Sequence, residues 1–292
     1  MFEIMTDTSC NLPTPLLRRM KVGVIPFTYL MDGEVHACTD TETFDGKAFF
    51  DKIREGDIVQ TSQITPEHYR EYFEPVLAAG KDLLFIGMSS GISASCSSAE
   101  LMARELREQY PERKICVVDS LSASLAEGMV VLRAHQCMAK GMDVEKTAAE
   151  LLDYRMRICQ VFTVGDLRHL QRTGRLSAAR AIIGTLLHIC PILIGDKEGK
   201  IVLANNVRGR RNAIKALADR FGKLVADKLN GPVCIAHADC EEDAKFLAQC
   251  LEKIKAVKEV LIVMYEPVTG SHVGPGTLAL FYEGAPNARL LL

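Results

Sequence analysis

Residues 83–102 read Leu83-Leu84-Phe85-Ile86-Gly87-Met88-Ser89-Ser90-Gly91-Ile92-Ser93-Ala94-Ser95-Cys96-Ser97-Ser98-Ala99-Glu100-Leu101-Met102. The run Leu83 to Ile86 is apolar without interruption, the pattern of a strand buried on both faces. Glycines and serines follow with little bulk between them. Beyond the turn, Leu101, Met102 and Leu106 fall on one side and Arg104, Glu105 and Arg107 on the other, which predicts a helix. A strand passing through a small, hydroxyl-rich turn into a helix makes a concave site. Backbone N–H groups and the positive end of the helix dipole favour an anionic oxygen there, so this turn is expected to hold the acidic head of a ligand.

Working outward, the flanking residues repeat the theme. Strands are expected at Phe2 to Thr6, Val22 to Leu30, Ile58 to Thr61 and Lys114 to Val118. Helices are expected at Thr43 to Arg54, from Pro66 to about Ala79, from Ser124 to Lys140 and from Val144 to Arg157. This alternation predicts a mostly parallel α/β sheet, whose ligands lie beyond the carboxyl ends of the strands. Asp7-Thr8-Ser9, Thr61-Ser62-Gln63, Ser89 to Ser93 and Asp119-Ser120 all follow expected strands.

The second half has a different rhythm. A strand at Gln160 to Val164, a short helix after Asp166 and a hairpin turning at Asp196-Lys197-Glu198-Gly199 precede helices at Gly209 to Lys228 and Glu241 to Lys255. Strands at Val233 to Ala236, Val260 to Tyr265 and Leu278 to Tyr282 complete a mixed sheet. The fold class is therefore α/β, with two α/β domains. Residues 1–157 form a parallel domain with flanking helices, which carries the anion site. Residues 158–292 form a mixed-sheet domain with helices, and a ligand is expected between the two.

Composition narrows the function. The 292 residues are 48% hydrophobic and 25% charged with a formal net charge of -2, so no broad basic field invites nucleic acid. No apolar run reaches the ~18 residues a membrane span requires, and no signal-peptide pattern opens the chain. A cytoplasmic protein without stable membrane insertion is expected. The ten cysteines include no C-x-x-C pair, and reduced, buried thiols are expected. Cys96 stands apart, because a thiol at a helix start is acidified. No histidine or carboxylate spacing suggests a metal.

Three further motifs compete for a role. Gly87-Met88-Ser89-Ser90-Gly91 fits G-x-S-x-G in a strand-to-helix context, which makes a serine hydrolase or esterase the alternative reading; Asp119 and His272 are its only nominees for acid and base. Gly274-Pro275-Gly276-Thr277-Leu278-Ala279 fits a dinucleotide fingerprint in the wrong context, since a strand follows it. Arg175, Arg208 and His272 sit in expected loops, the last among glycines that permit close approach of another group.

Thr6-Asp7-Thr8-Ser9, Thr61-Ser62-Gln63, Ser89-Ser90-Gly91-Ile92-Ser93, Asp119-Ser120, Gly174-Arg175 and His272-Val273-Gly274-Pro275-Gly276, in this order, resemble the DegV family. The resemblance implies a bacterial fatty-acid-binding protein of two α/β domains with a long-chain fatty acid between them. It implies no catalysis by the chain alone, no cofactor, and a role in lipid metabolism: presenting the fatty-acid carboxylate to a separate ATP-dependent kinase for acyl-phosphate formation, with at most transient membrane contact. Carried over residue by residue, Thr61 and Ser93 would hold the carboxylate, His272 would sit near the head group, and Arg175 and Arg208 would serve kinase docking or phosphoryl transfer. Ile182, Ile183, Leu186 and Leu187 are candidates to line the acyl chain. The family's usual S-G-L-S-G-T is here Ser90-Gly91-Ile92-Ser93-Ala94-Ser95, and its D-S near the N-terminus is Asp7-Thr8.

Overall fold

The computed structural model describes residues 2–176, 188–254, 257 and 259–292; the acyl-lining candidates Ile182, Ile183, Leu186 and Leu187 lie outside these residues. Two compact units form, one from Met1–Phe44 with Val59–Arg155, the other from Asp45–Ile58 with Met156–Leu292. A single cut after residue 157 differs from this in two respects: residues 45–58 group with the C-terminal half, and that half begins at Met156.

In the first unit the strands β1 (Phe2–Asp7), β2 (Gly23–Ile25), β6 (Asp82–Gly87) and β7 (Ile115–Asp119) form an all-parallel sheet in the order β2-β1-β6-β7. Leu83, Leu84, Phe85 and Ile86 are fully buried, as an inner strand covered on both faces requires. The helices are α1 (Thr14–Met20), α3 (Pro66–Ala78), α4 (Ser95–Gln109), α5 (Leu125–Ala139) and α6 (Val144–Tyr154). Tyr69 and Phe73 of α3 pack on Phe85 of β6, with ring centroids 5.2 and 5.5 Å away.

The expected strand Val22 to Leu30 is two strands in different sheets. Pro26 has no N–H for a ladder, so β2 ends at Ile25 and a new strand, β3 (Thr28–Met31), begins in a small antiparallel sheet. Its partners are β4 (Glu34–Ala37) and β5 (Gln60–Ser62), in the order β4-β3-β5. Asp32 and Gly33 turn this hairpin with φ of 55° and 80°. Thr61 therefore lies on an antiparallel strand opposite Tyr29, and not at the end of a parallel strand as the alternation suggested.

The second unit is built on β8 (Ile158–Thr163), β9 (Ile189–Gly195), β10 (Ile201–Arg208), β11 (Val233–His237), β12 (Val260–Met264) and β13 (Leu278–Glu283), in the order β10-β9-β8-β13-β11-β12. The pairing of β11 with β12 is parallel and the rest is antiparallel. The Asp196–Lys200 turn closes the expected β9–β10 hairpin, with Asp196 Oδ1 accepting from Glu198 N and Lys200 N. The helices are α2 (Gly46–Glu55), α7 (Leu167–Arg172), α8 (Arg210–Leu224), α9 (Glu241–Glu252) and α10 (Pro267–Val273). Helix α2 earns its place here through side chains: Arg54 pairs with Asp239 at 2.6 Å, and Phe50 lies so close to Gly270 that a Cβ there would meet its ring at 2.8 Å.

His272 sits in α10 and not in a loop. Glu266 caps this helix by accepting from Val268 N and Thr269 N, Pro267 opens it, and Gly274 at φ +80° ends it. Arg175 is in a loop as expected, whereas Arg208 ends strand β10.

Close packing leaves no room for a side chain at Gly128 of the first unit. A Cβ on Gly128 of α5 would stand 2.7 Å from the Cys10 carbonyl oxygen and 2.8 Å from Leu12 Cγ. Gly128→Ala is expected to cost about 1–3 kcal/mol through this overpacking. Urea unfolding should show a lowered midpoint; an unchanged midpoint would mean that the Cys10–Leu12 segment yields freely.

Candidate functional site

The carboxyl ends of β1, β6 and β7 are joined by polar side chains. Asp7, fully buried at the end of β1, accepts from Ser9 N at 2.9 Å and from Met88 N at 3.0 Å, tying β1 to the turn after β6. Gly87 makes this approach possible: a Cβ there would collide with the Phe85 ring at 2.7 Å and lie 3.5 Å from Asp7 Oδ2. Ser89 N donates to Ser122 O and Ser120 N to Gly87 O, so the turns after β6 and β7 hold one another. Asp119 accepts from Ser90 Oγ at 2.6 Å and from Leu121 N at 2.8 Å.

Beneath these turns lies a second carboxyl group. Glu127 of α5 is fully buried and accepts from Thr6 Oγ1 at 2.9 Å and from Ser9 Oγ. Burial and the facing Asp7 charge push its carboxyl well above the usual range, and burial raises Asp7 too. Two buried carboxyls in contact hold a shared proton more readily than two charges. Glu127 was not singled out from sequence, although a lone carboxylate within Leu125-Ala126-Glu127-Gly128-Met129-Val130-Val131 is a visible signal of a buried partner.

Most of the serines are thus committed to structure. Ser93 and Thr61 are half-buried and differ in position from the rest. Ser93 Oγ accepts from Ser95 N at 3.2 Å, a local serine turn just ahead of α4, and donates to Ser95 Oγ at 3.0 Å. Ser95 Oγ in turn accepts from Ile64 N at 3.2 Å, which fastens the segment following Thr61 to the turn that carries Ser93. Ser95 is therefore the link between the two predicted head-group residues. The departure at Asp7-Thr8 is absorbed locally, since Thr8 Oγ1 accepts from Phe27 N at 3.0 Å. A surface depression of about 560 Å³ beside Ser90, Cys96, Glu100 and Asp119 includes neither Thr61 nor Ser93.

Two expectations from sequence fail here. The hydrolase elbow would need Ser89 exposed at a tight strand-to-helix turn. Ser89 is instead fully buried, its Oγ accepts from Gly91 N, and α4 starts only at Ser95. The acidified thiol fails as well: Cys96 is buried, and desolvation with nearby carboxylates raises its pKa far above that of a free cysteine. All ten cysteines are free thiols.

In the second unit His272 is half-buried, and its pKa falls to about 3 through burial and the nearby charge of Arg175. A neutral imidazole is its form at physiological pH. Arg175 is brought to this neighbourhood, with Nη1 donating to Thr173 O at 2.6 Å, and burial lowers its pKa. Arg208 is exposed at the far end of its strand. Among the described residues no cluster of metal ligands occurs, and no helix is long and apolar enough to cross a membrane.

A parallel sheet with interlocked hydroxyl turns at its strand ends, followed in the chain by a mixed-sheet unit, defines a class of two-unit α/β proteins. A family model described as "Uncharacterised protein, DegV family" matches residues 1–285. A DegV domain-containing protein of Clostridium perfringens is 32% identical over 283 residues, spanning 97% of each chain. A DegV-family crystal structure from Ruminococcus gnavus, with vaccenic acid, superposes with a TM-score of 0.86 at 25% identity, covering 96% of this chain and 98% of that one. A fatty-acid-binding DegV family protein from Thermus thermophilus gives 0.85 at 30% identity, covering 97% and 99%. The chain belongs to the DegV family.

The carboxyl pair has a consequence for pH. A carboxyl whose pKa is raised on folding supports the folded state fully below its unfolded value, and that support is lost as the pH rises through the elevated value. Glu127→Gln keeps the shape without the charge. Relative to the unaltered chain, its urea midpoint should rise as the pH is taken above the ordinary carboxylate range, because the support that the raised pKa gives the unaltered chain is then being lost. A parallel pH dependence in both proteins would show that the pair carries no excess proton.

Proposed function

We propose that this protein binds a long-chain fatty acid, with Thr61 and Ser93 as the hydroxyls that hold its carboxylate and His272 as a neutral partner near the head group. Membership of a family whose solved members carry fatty acids is the observation that carries this reading. The interlocked turns add physical support: Ser95 joins the Ser93 turn to the segment after Thr61, and a neutral His272 can donate to a carboxylate or accept from a carboxylic acid.

The energetics divide the labour. Each buried methylene is worth about 0.8 kcal/mol, so a chain of about fourteen contributes roughly 11 kcal/mol before ordering costs. A hydrogen bond to a charged head adds about 1.5–3 kcal/mol. The tail supplies affinity and the hydroxyls set orientation. Ile182, Ile183, Leu186 and Leu187 are the proposed apolar wall.

The further role proposed is presentation of the carboxylate to a separate ATP-dependent kinase, with transfer of the terminal phosphoryl group to a carboxylate oxygen to yield an acyl phosphate and ADP. The family resemblance supports this, and Arg175 and Arg208 are its proposed contributors; the chain by itself performs no turnover.

Native mass spectrometry of the purified protein is the direct test. A fatty-acid-sized adduct is expected, and its mass gives the chain length. Ser93→Ala should weaken binding about tenfold while leaving acyl ligand detectable. If Ser93→Ala combined with Thr61→Ala left affinity untouched, the head-group assignment would be wrong.

A further inference from the structure

Helix α10 spans only Pro267–Val273, too short to keep its shape without tertiary support. Its start is fixed by Glu266, and its end is fixed by α7. His169 Nε2 lies 2.6 Å from the Ser271 carbonyl oxygen. A carbonyl can only accept, so the proton resides on Nε2 and Nδ1 is left with a lone pair. Arg172 Nη2 stands 3.2 Å from that Nδ1 and donates to it. The imidazole is thus held in one tautomer between a cation and a backbone acceptor.

A second polar contact reaches the next residue. Thr173 Oγ1 lies 3.0 Å from the Leu170 carbonyl and 3.2 Å from the His272 carbonyl, so one hydroxyl proton spans both. Packing acts at the same place, because a Cβ on Gly274 would come within 2.7 Å of the His169 ring. Contacts from α7 and the residue after it therefore converge on Ser271, His272 and Gly274, the backbone on either side of the His272 side chain. A link needed only for packing would be served by an apolar ring. This one is polar and directional at both ends.

We propose that His169 and Thr173 are positioning residues, which fix the last turn of α10 and so set the direction in which His272 presents its imidazole. Its functional use rests on the assignment of His272 to the fatty-acid head group; the anchoring itself does not. No sequence motif marked His169, and its role follows from where α7 and α10 meet.

The test uses the full chain with His169→Phe, His169→Gln, Thr173→Val and His272→Ala, and carboxyl-labelled palmitate as the probe. In the ligand-free protein, nitrogen-detected ring signals of His272 should move in His169→Phe and, to a lesser degree, in Thr173→Val. They should return toward the original in His169→Gln, which keeps a donor and an acceptor. Palmitate affinity should fall about fivefold in His169→Phe, with a shifted carboxyl-carbon signal. Added to His272→Ala, the same substitution should cause no further loss.

Unmoved His272 signals in both folded variants, or losses that simply add in the double variant when His272→Ala itself weakens binding, would overturn the proposal. If His169→Phe does not fold, Thr173→Val carries the test alone, because it is isosteric and removes only the hydroxyl. Should His272→Ala leave affinity and the carboxyl signal unchanged while the His272 signals still follow His169→Phe, the positioning stands and the head-group assignment falls.

Discussion

A single buried carboxylate holds the strand ends of the first unit together. Asp7 accepts two backbone N–H groups, one from Ser9 just beyond its own strand and one from Met88 beyond the neighbouring strand. Buried amides without partners are destabilising, and a buried charge without donors is more so. Each solves the other's problem at the point where a polar turn must leave the sheet. Glu127 completes the arrangement from below by taking the hydroxyls of Thr6 and Ser9. The turn that carries Ser93 is therefore supported on a fully satisfied polar layer, which lets it present small side chains without collapsing.

This division explains why so many hydroxyls accumulate in one place. The Ser90 hydroxyl bonds to Asp119 in the neighbouring turn, while those of Ser89 and Ser120 bond backbone within their own turns. Ser95 bridges two segments, and Ser93 and Thr61 keep partial exposure. The surface of such a site is made by a minority of its residues, and the rest keep loops from competing conformations.

Much of this was legible from the chain. The apolar run Leu83 to Ile86 and the polar clusters after Asp7, Gly87 and Asp119 correctly located a parallel sheet and the end at which its polar turns gather. The order of the family motifs matched a family that the comparisons then established. What escaped depended on partners distant in sequence. Pro26 announced a break, but only the pairing of Tyr29 with Thr61 shows where the chain goes next. The glycines around His272 suggested a loop, yet Glu266-Pro267 before them and Gly274 after them are the start and stop of a helix. Cys96 looked activated by its place at a helix start, and burial reverses that inference. Helix α2 reads as an ordinary amphipathic helix, and nothing local says that Phe50 and Arg54 meet Gly270 and Asp239.

That last feature bears on how the molecule is made. Helix α2 leaves the ribosome early, flanked on both sides by segments of the other unit, while the strands and helices it belongs with are encoded far downstream. At translation speeds of ~5–20 residues per second it waits on the order of tens of seconds for Asp239 and Gly270. Phe50, buried in the finished fold, has no Gly270 to pack against during that interval. Placing residues 45–58 in the second unit thus makes their packing wait for a partner 185 positions downstream, so assembly of that unit is a late, vectorially ordered event.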